Sequence, residues 1–228
     1  MGDCMIIRTK SGEMMTANGS ALLELLGVKQ ETGEIQKVAG DVMVFAEGVI
    51  TKDDQATDGL SANPDGFAWV LSTYDLDRFG ERIDPAGWDF KQFIKNPVVE
   101  WAHNFLIPAI GKIDGLTVDD GGLHGRVIFN GKEYDPFGWA VGQRVAAGVI
   151  RAGSVGFRVL EIEIPSKADS KDGTTLIFRR QELVEFSICN VPANPYALAK
   201  TMSNEQLAVN NESGVNASHF WGGLINNQ

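Results

Sequence analysis

Short apolar runs alternate with polar, turn-forming residues through most of the chain from Val38 onward. The runs Val42–Ala46 and Phe67–Leu71 are bounded by Gly, Asp, Asn and Pro, a pattern that is typical of buried strands. The polar stretch between them, residues 51–66, is predicted to be a loop. Further runs of the same kind complete the predicted strands, which cover residues 42–46, 67–71, 97–103, 110–118, 123–129, 154–164, 175–179 and 183–191.

Helical patterns are few. Residues Pro136–Gly148 carry apolar side chains at helical spacing and end at a glycine, which predicts the longest helix of the chain. Shorter helices are predicted at Ala21–Leu26 and Trp88–Lys95. Many strands with few helices predict an α+β protein that is mainly β, either a β-barrel or a β-sandwich with peripheral helices.

The pattern of apolar and polar residues divides the chain into three parts. Residues 1–37 form a weakly patterned N-terminal segment, and residues 38–200 form a domain that contains all eight predicted strands. Residues 201–228 are rich in Asn, Ser and Gly with few apolar side chains, so we expect a flexible C-terminal tail.

The amino-acid composition of the chain argues against several classes of binding partner. Thirty acidic and twenty basic residues give a formal charge of −10, which argues against a nucleic-acid partner. No apolar run approaches the roughly 20 residues of a membrane span, so we expect no membrane partner. Cys4 and Cys189 lie in very different contexts and are expected to be reduced thiols. The sequence thus predicts a soluble protein made in a cytoplasm.

Three histidines are candidates for a general base, namely His103, His124 and His219. His219 lies in the expected tail, and His124 alternates with apolar neighbours, which predicts a solvent-facing position on a strand. His103 instead follows an apolar run and precedes a loop, so it is held firmly on one side and accessible on the other. A general base needs that placement.

Ser154 is the candidate nucleophile because it lies between Gly153 and Gly156, at the start of a predicted strand. Flanking glycines let a substrate carbonyl approach the backbone, where the N–H groups of Val155 and Gly156 are candidates for an oxyanion hole. The same pattern also fits an ordinary Gly-Ser turn.

Glu185 lies within an apolar predicted strand. Val184, Phe186 and Ile188 point to one face of that strand, whereas Glu185 and Ser187 point to the other. A carboxylate in such a segment meets either solvent or a partner, and a partner histidine is one arrangement that fits.

These residues belong to stretches that resemble the tailed-phage prohead proteases, the capsid-maturation peptidases distantly related to herpesvirus assemblin. The matching stretches follow the order of the family between about Phe67 and Ala199 and comprise residues 74–88, 101–104, 108–111, 153–157, 185–187 and 192–195.

The resemblance implies a serine endopeptidase with Ser154 as nucleophile and His103 as general base. Herpesviral relatives use a second histidine as the third member, whereas this chain has Glu185 at the matching place. The resemblance also implies a closed or nearly closed β-barrel wrapped by helices. We expect no cofactor and no metal.

The implied biology is the cleavage of capsid and scaffold precursor proteins, and of the protease itself, inside the immature capsid in the host cytoplasm. A homo-oligomer also fits this setting.

Three rival interpretations of these residues are also compatible with the sequence. Glu100 and His103 form an E-x-x-H pair that is half of a di-iron signature. Cys189 is an alternative nucleophile, although an apolar strand more often holds an inert thiol. The main alternative is a catalytically silent, capsid-associated structural or scaffold protein of the same fold.

Overall fold

A computed structural model describes residues 5–11, 13–29, 31–49, 66–77, 79–168 and 170–190. These residues form helices α1 (Gly19–Leu25) and α2 (Pro136–Ala146), and short 3₁₀ turns at Pro85–Gly87 and Phe93–Lys95. The strands are β1 (Met5–Arg8), β2 (Met14–Ala17), β3 (Ile35–Lys37), β4 (Met43–Val49), β5 (Phe67–Ser72), β6 (Glu81–Ile83), β7 (Trp88–Asp89), β8 (Val98–Trp101), β9 (Gly111–Asp119), β10 (Gly122–Phe129), β11 (Ala152–Glu163) and β12 (Leu176–Cys189).

All twelve strands belong to one mixed sheet, with the order β2-β1-β4-β5-β10-β9-β8-β12-β11-β3. Strands β6 and β7 pair with β12, and β4 pairs additionally with β11. The predicted mainly-β fold is confirmed. The predicted closed or nearly closed β-barrel is not confirmed, because the strand order of the sheet has two ends, at β2 and β3, although β4 also pairs with β11.

Helix α2 confirms the longest predicted helix. Asp135 caps it by accepting a hydrogen bond from the Gly138 N–H at 2.9 Å, and Pro136 occupies the first turn, where no N–H is needed. The small predicted helix at Ala21–Leu26 corresponds to α1, which Asn18 caps through the Ala21 N–H.

The predicted helix at Trp88–Lys95 is wrong. Trp88 and Asp89 form β7 and pair in parallel with Gln181 and Glu182 of β12. Only Phe93–Lys95 is helical, as a 3₁₀ turn. Trp88 is 9% exposed, and its burial against β12 outweighs the weak local preference for helix.

Strand β12 is one continuous strand of fourteen residues, where the sequence predicted two separate strands. The polar residues between the two predicted strands continue the sheet. Gln181 is fully buried, and its side-chain amide donates to the Asp84 carbonyl at 2.8 Å. A buried polar side chain with such a partner does not have to end a strand.

The N-terminal segment contributes strands that its weak pattern did not reveal. Strand β1 pairs with β4, and β3 pairs with β11, so residues of this segment extend the main sheet. The predicted tail and all but Gly66 of the predicted loop at 51–66 lie outside the described residues.

The centre of the core lies around β11 and β12, whose antiparallel pairing runs from Ala152 and Cys189 to Glu163 and Ile177. Phe157 packs edge-on against both Trp88 and Phe178, at ring-centroid distances of 5.6 and 5.0 Å. Each fully buried side chain of this size contributes about 1.5–3 kcal/mol. This pair of strands is therefore a well-packed support for the residues that it carries.

The turn that leads into β6 carries the half-buried carboxyl group of Asp77, and the strand begins with the buried carboxyl group of Glu81. Asp77 Oδ1 accepts hydrogen bonds from the N–H groups of Phe79 and Glu81, both at 2.8 Å. Glu81 is 1% exposed, and neither carboxyl oxygen has a hydrogen-bond partner among the described residues. Burial raises the pKa of Asp77 to about 6, and burial together with the nearby Asp77 raises the pKa of Glu81 well above its ordinary value.

This turn predicts a pH dependence of stability. The folded state keeps the Asp77 proton up to about pH 6, whereas the unfolded chain loses it near 3.8, so the contribution of Asp77 to stability falls as pH rises through this window. Asp77→Asn keeps an oxygen acceptor for the turn and should flatten that part of the profile. Urea-unfolding midpoints between about pH 4 and pH 7 measure the effect.

Asp120→Asn, at an exposed hairpin position, is the matched control and should keep the wild-type slope. A profile of Asp77→Asn that runs parallel to the wild type would contradict this account.

Candidate active site

His103 lies in a turn that follows β8 directly. Ala102 and His103 both have left-handed backbone conformations, with φ of 51° and 57°, which are uncommon for residues with a Cβ. The Ala102 N–H donates to the Ile188 carbonyl at 2.9 Å, and the Asn104 N–H donates to the Trp101 carbonyl at 3.0 Å. The turn therefore points the imidazole back toward the sheet instead of continuing the strand to His103 as predicted.

Ser154 lies near the start of β11, between two neighbouring strands. It pairs in register with Ser187 of β12 on one side and with Glu47 of β4 on the other. The residue is 1% exposed. Its position is thus fixed by backbone pairing on both sides and not by a loop.

The three residues singled out from the sequence meet at one point. His103 Nε2 lies 2.7 Å from Ser154 Oγ, and His103 Nδ1 lies 2.5 Å from Glu185 Oε1. The side chains of His103 and Glu185 are only 12% and 3% exposed. With Nδ1–H donating to the Glu185 carboxylate, Nε2 is left as an acceptor for the Ser154 hydroxyl. This is the arrangement that activates a serine for nucleophilic attack.

Gly156 makes room for the Glu185 carboxylate. The two residues are paired across β11 and β12, and a Cβ at position 156 would overlap Glu185, with Oε1 the nearest atom. Sequence reasoning linked this glycine to substrate approach and oxyanion binding, whereas in the fold it has a steric role toward the acid.

The oxyanion candidates Val155 and Gly156 lie in the middle of β11. Both pair with β12 and with β4, so strands occupy both sides of the backbone there. Their role as oxyanion donors stays a prediction to which this geometry adds no support.

Ser187 is a member of the site that sequence reasoning placed on the Glu185 face without giving it a role. Its hydroxyl donates to Glu185 Oε2 at 2.7 Å and accepts the backbone N–H of His103 at 3.0 Å. The alternation of period two was the available signal, but the partner strand that completes these bonds was not visible from it.

Glu100 lies beside this cluster, opposite Ser187 in the parallel pairing of β8 with β12. It is 9% exposed, and its Oε2 has no hydrogen-bond partner among the described residues. Burial, and secondarily the nearby Glu185, raises the pKa of Glu100. Glu100 is therefore protonated more readily than an exposed glutamate.

The Phe45 ring packs against the imidazole, and Phe105 and Arg8 lie behind it. The Phe45 ring lies 4.5 Å from the His103 ring, and Phe105 lies 6.4 Å from Phe45. The Arg8 guanidinium is 5.4 Å from the Phe105 ring centroid. This packing restrains the imidazole and lowers the local dielectric around the Ser154–His103 contact.

Of the remaining sequence candidates, two lie within the described residues and two lie outside them. His124 pairs with Asp119 at 2.8 Å in the β9–β10 hairpin, and Cys189 is a buried thiol at the end of β12. Cys4 and His219 lie outside the described residues. Among the described residues, no group of three or more His, Cys, Asp or Glu side chains could hold a metal ion.

Comparison with known proteins identifies the class. The family model of the caudovirus prohead serine protease matches residues 50–212, more than two thirds of the chain. The chain therefore belongs to this family of serine peptidases, as the resemblance in its sequence implied. No curated protein and no solved structure matches it. Within the described ranges, no helix is long and apolar enough to span a membrane.

The space that Gly156 leaves for the Glu185 carboxylate can be tested by mutation. Gly156→Ala should displace the carboxylate from His103 and slow the reaction of Ser154 with a fluorophosphonate probe by about tenfold or more. In a Glu185→Ala background the obstacle is gone, so the added methyl group should have little further effect.

Gly19→Ala, where a Cβ would meet only ordinary contacts, serves as the control and should react like the wild type. Wild-type labelling of a stable Gly156→Ala protein would show that this glycine does not govern the position of Glu185.

Proposed function

We propose that this protein is a serine endopeptidase in which Ser154 is the nucleophile, His103 the general base and Glu185 the residue that orients the base. The observation that carries the proposal is the unbroken path of hydrogen bonds from Ser154 through His103 to Glu185. Membership of the prohead serine protease family supports the same reaction class.

The reaction follows from the donors and acceptors of the site. Ser154 Oγ attacks the carbonyl carbon of the scissile peptide while its proton passes to His103 Nε2. The resulting imidazolium returns this proton to the leaving amine as the C–N bond breaks, which leaves an acyl-enzyme. Water then attacks the ester, with His103 again acting as base, and Ser154 is regenerated.

Glu185 has two tasks in this scheme. It keeps the Nδ1–H tautomer in place, so that Nε2 faces Ser154, and it stabilises the imidazolium that forms during each step. The burial of Glu185 supports both tasks, because the attraction between its carboxylate and the imidazolium is stronger in a dry site than in water. Val155 and Gly156 remain the candidate oxyanion donors.

We propose that the substrates are capsid and scaffold precursor proteins, and copies of the protease itself, within the prohead in the host cytoplasm. The family supports this setting. Enclosure in a shell raises the effective concentration of enzyme and substrate, so a modest intrinsic rate is sufficient. No specific observation favours the catalytically silent alternative.

Removing either central residue should abolish processing. Ser154→Ala and His103→Ala are each expected to lower the cleavage rate by about 10⁴- to 10⁶-fold, because the proton transfer that activates the hydroxyl is lost. Cleavage of co-expressed capsid and scaffold precursors, followed by mass spectrometry, measures the loss.

Ser72→Ala removes another buried serine, in β5, and should leave processing intact. Unchanged processing by Ser154→Ala would end the proposal.

Replacing the acid should have a smaller effect than replacing the base. Glu185→Gln keeps the shape of the side chain and one oxygen acceptor but loses the charge that stabilises the imidazolium. We therefore expect an activity between those of the wild type and His103→Ala in the same processing assay. A wild-type rate would remove Glu185 from the catalytic group.

A further inference from the structure

We propose that Ser187 is a positioning residue that fixes His103 and Glu185 relative to each other. This inference rests on the proposed function, since positioning matters only if His103 acts as the base. It concerns a residue to which neither the sequence nor the family match gives a role.

Three hydrogen bonds form a closed ring around Ser187. The His103 backbone N–H donates to Ser187 Oγ at 3.0 Å, and the Ser187 hydroxyl donates to Glu185 Oε2 at 2.7 Å. Glu185 Oε1 then meets His103 Nδ1 at 2.5 Å. The ring thus begins at the backbone of His103 and returns to the side chain of the same residue.

The direction of each bond in this ring is fixed by chemistry. A backbone N–H can only donate and a carboxylate can only accept, so the single hydroxyl hydrogen of Ser187 must point to Glu185. Ser187 is fully buried, and no bulk water competes for these bonds. Glu185 is thereby held by one oxygen, which leaves the other to receive Nδ1–H.

The backbone at His103 needs such an anchor. Ala102 and His103 both adopt positive φ, a backbone conformation that is strained for residues with a Cβ. Their successive N–H groups are bound by successive residues of β12, since Ala102 donates to the Ile188 carbonyl and His103 to the Ser187 hydroxyl. Without that hydroxyl, the N–H of His103 loses its acceptor.

Strand register explains why position 187 can do this. Ser187 pairs with Ser154 across β11 and with Glu100 across β8. It therefore lies between the strand that carries the nucleophile and the strand that leads to the base. At this position the serine hydroxyl accepts from the His103 N–H and donates to Glu185 Oε2. Alanine would leave both of these groups without that partner.

Ser187→Ala tests the inference by kinetics. With a fluorophosphonate probe, we expect the maximal rate of Ser154 modification to fall about 10- to 100-fold, while the concentration for half-maximal rate stays near that of the wild type. Ser187→Thr restores the hydroxyl and should recover most of the rate. Ser72→Ala, in another part of the sheet, should behave as the wild type.

Proton NMR of the full chain gives a readout that does not depend on activity. The short bond between Nδ1–H and Glu185 should give a low-field resonance that disappears in His103→Ala. In Ser187→Ala this resonance should shift or broaden, whereas Ser187→Thr and Ser72→Ala should retain it.

The outcomes separate the two proposals. If Ser154→Ala stops processing while Ser187→Ala keeps both the wild-type rate and the wild-type resonance, the proposed function stands and the role of Ser187 is refuted. If Ser154→Ala processes normally, the proposed function fails, and an unchanged resonance in Ser187→Ala would also refute the positioning of His103.

Discussion

The pairing of β12 with two different strands is the constraint on which the site depends. On one side β12 runs antiparallel to β11, which carries Ser154, and on the other it runs parallel to β8, which leads into the His103 turn. Strand β12 therefore lies between the strand that carries Ser154 and the strand that leads to His103. Because side chains alternate along a strand, a shift of one residue in this register would turn Glu185 to the opposite face.

The polar groups of the site are buried together, and they largely satisfy one another. Ser154, Glu185 and Ser187 are each at most 2% exposed, and each has a hydrogen-bond partner within the cluster. Mutual hydrogen bonding offsets the cost of removing these groups from water. Glu100 is less well satisfied, and its raised pKa shows the usual response of a buried carboxyl group that lacks a full set of partners.

The glycines around Ser154 have a packing explanation. A Cβ at Gly153 would overlap the Phe186 ring, and a Cβ at Gly156 would overlap the Glu185 carboxylate. These two neighbours point to opposite faces of β12, so one glycine admits a core side chain and the other admits the acid. The Gly-Ser-x-Gly pattern, which suggested a turn or a substrate approach, is therefore a pattern of close contact between two strands.

The sequence by itself determined which segments are apolar enough to be buried, the place of helix α2, and a short set of candidate residues, His103, Ser154 and Glu185. These follow from local periodicity and from the chemistry of single residues, together with a family resemblance. The tertiary structure alone decided the strand identity of Trp88, the continuity of β12 through Gln181, and the use of Ser187. Each depends on which strand lies alongside, and a period of two residues specifies the faces of a strand but not its neighbours.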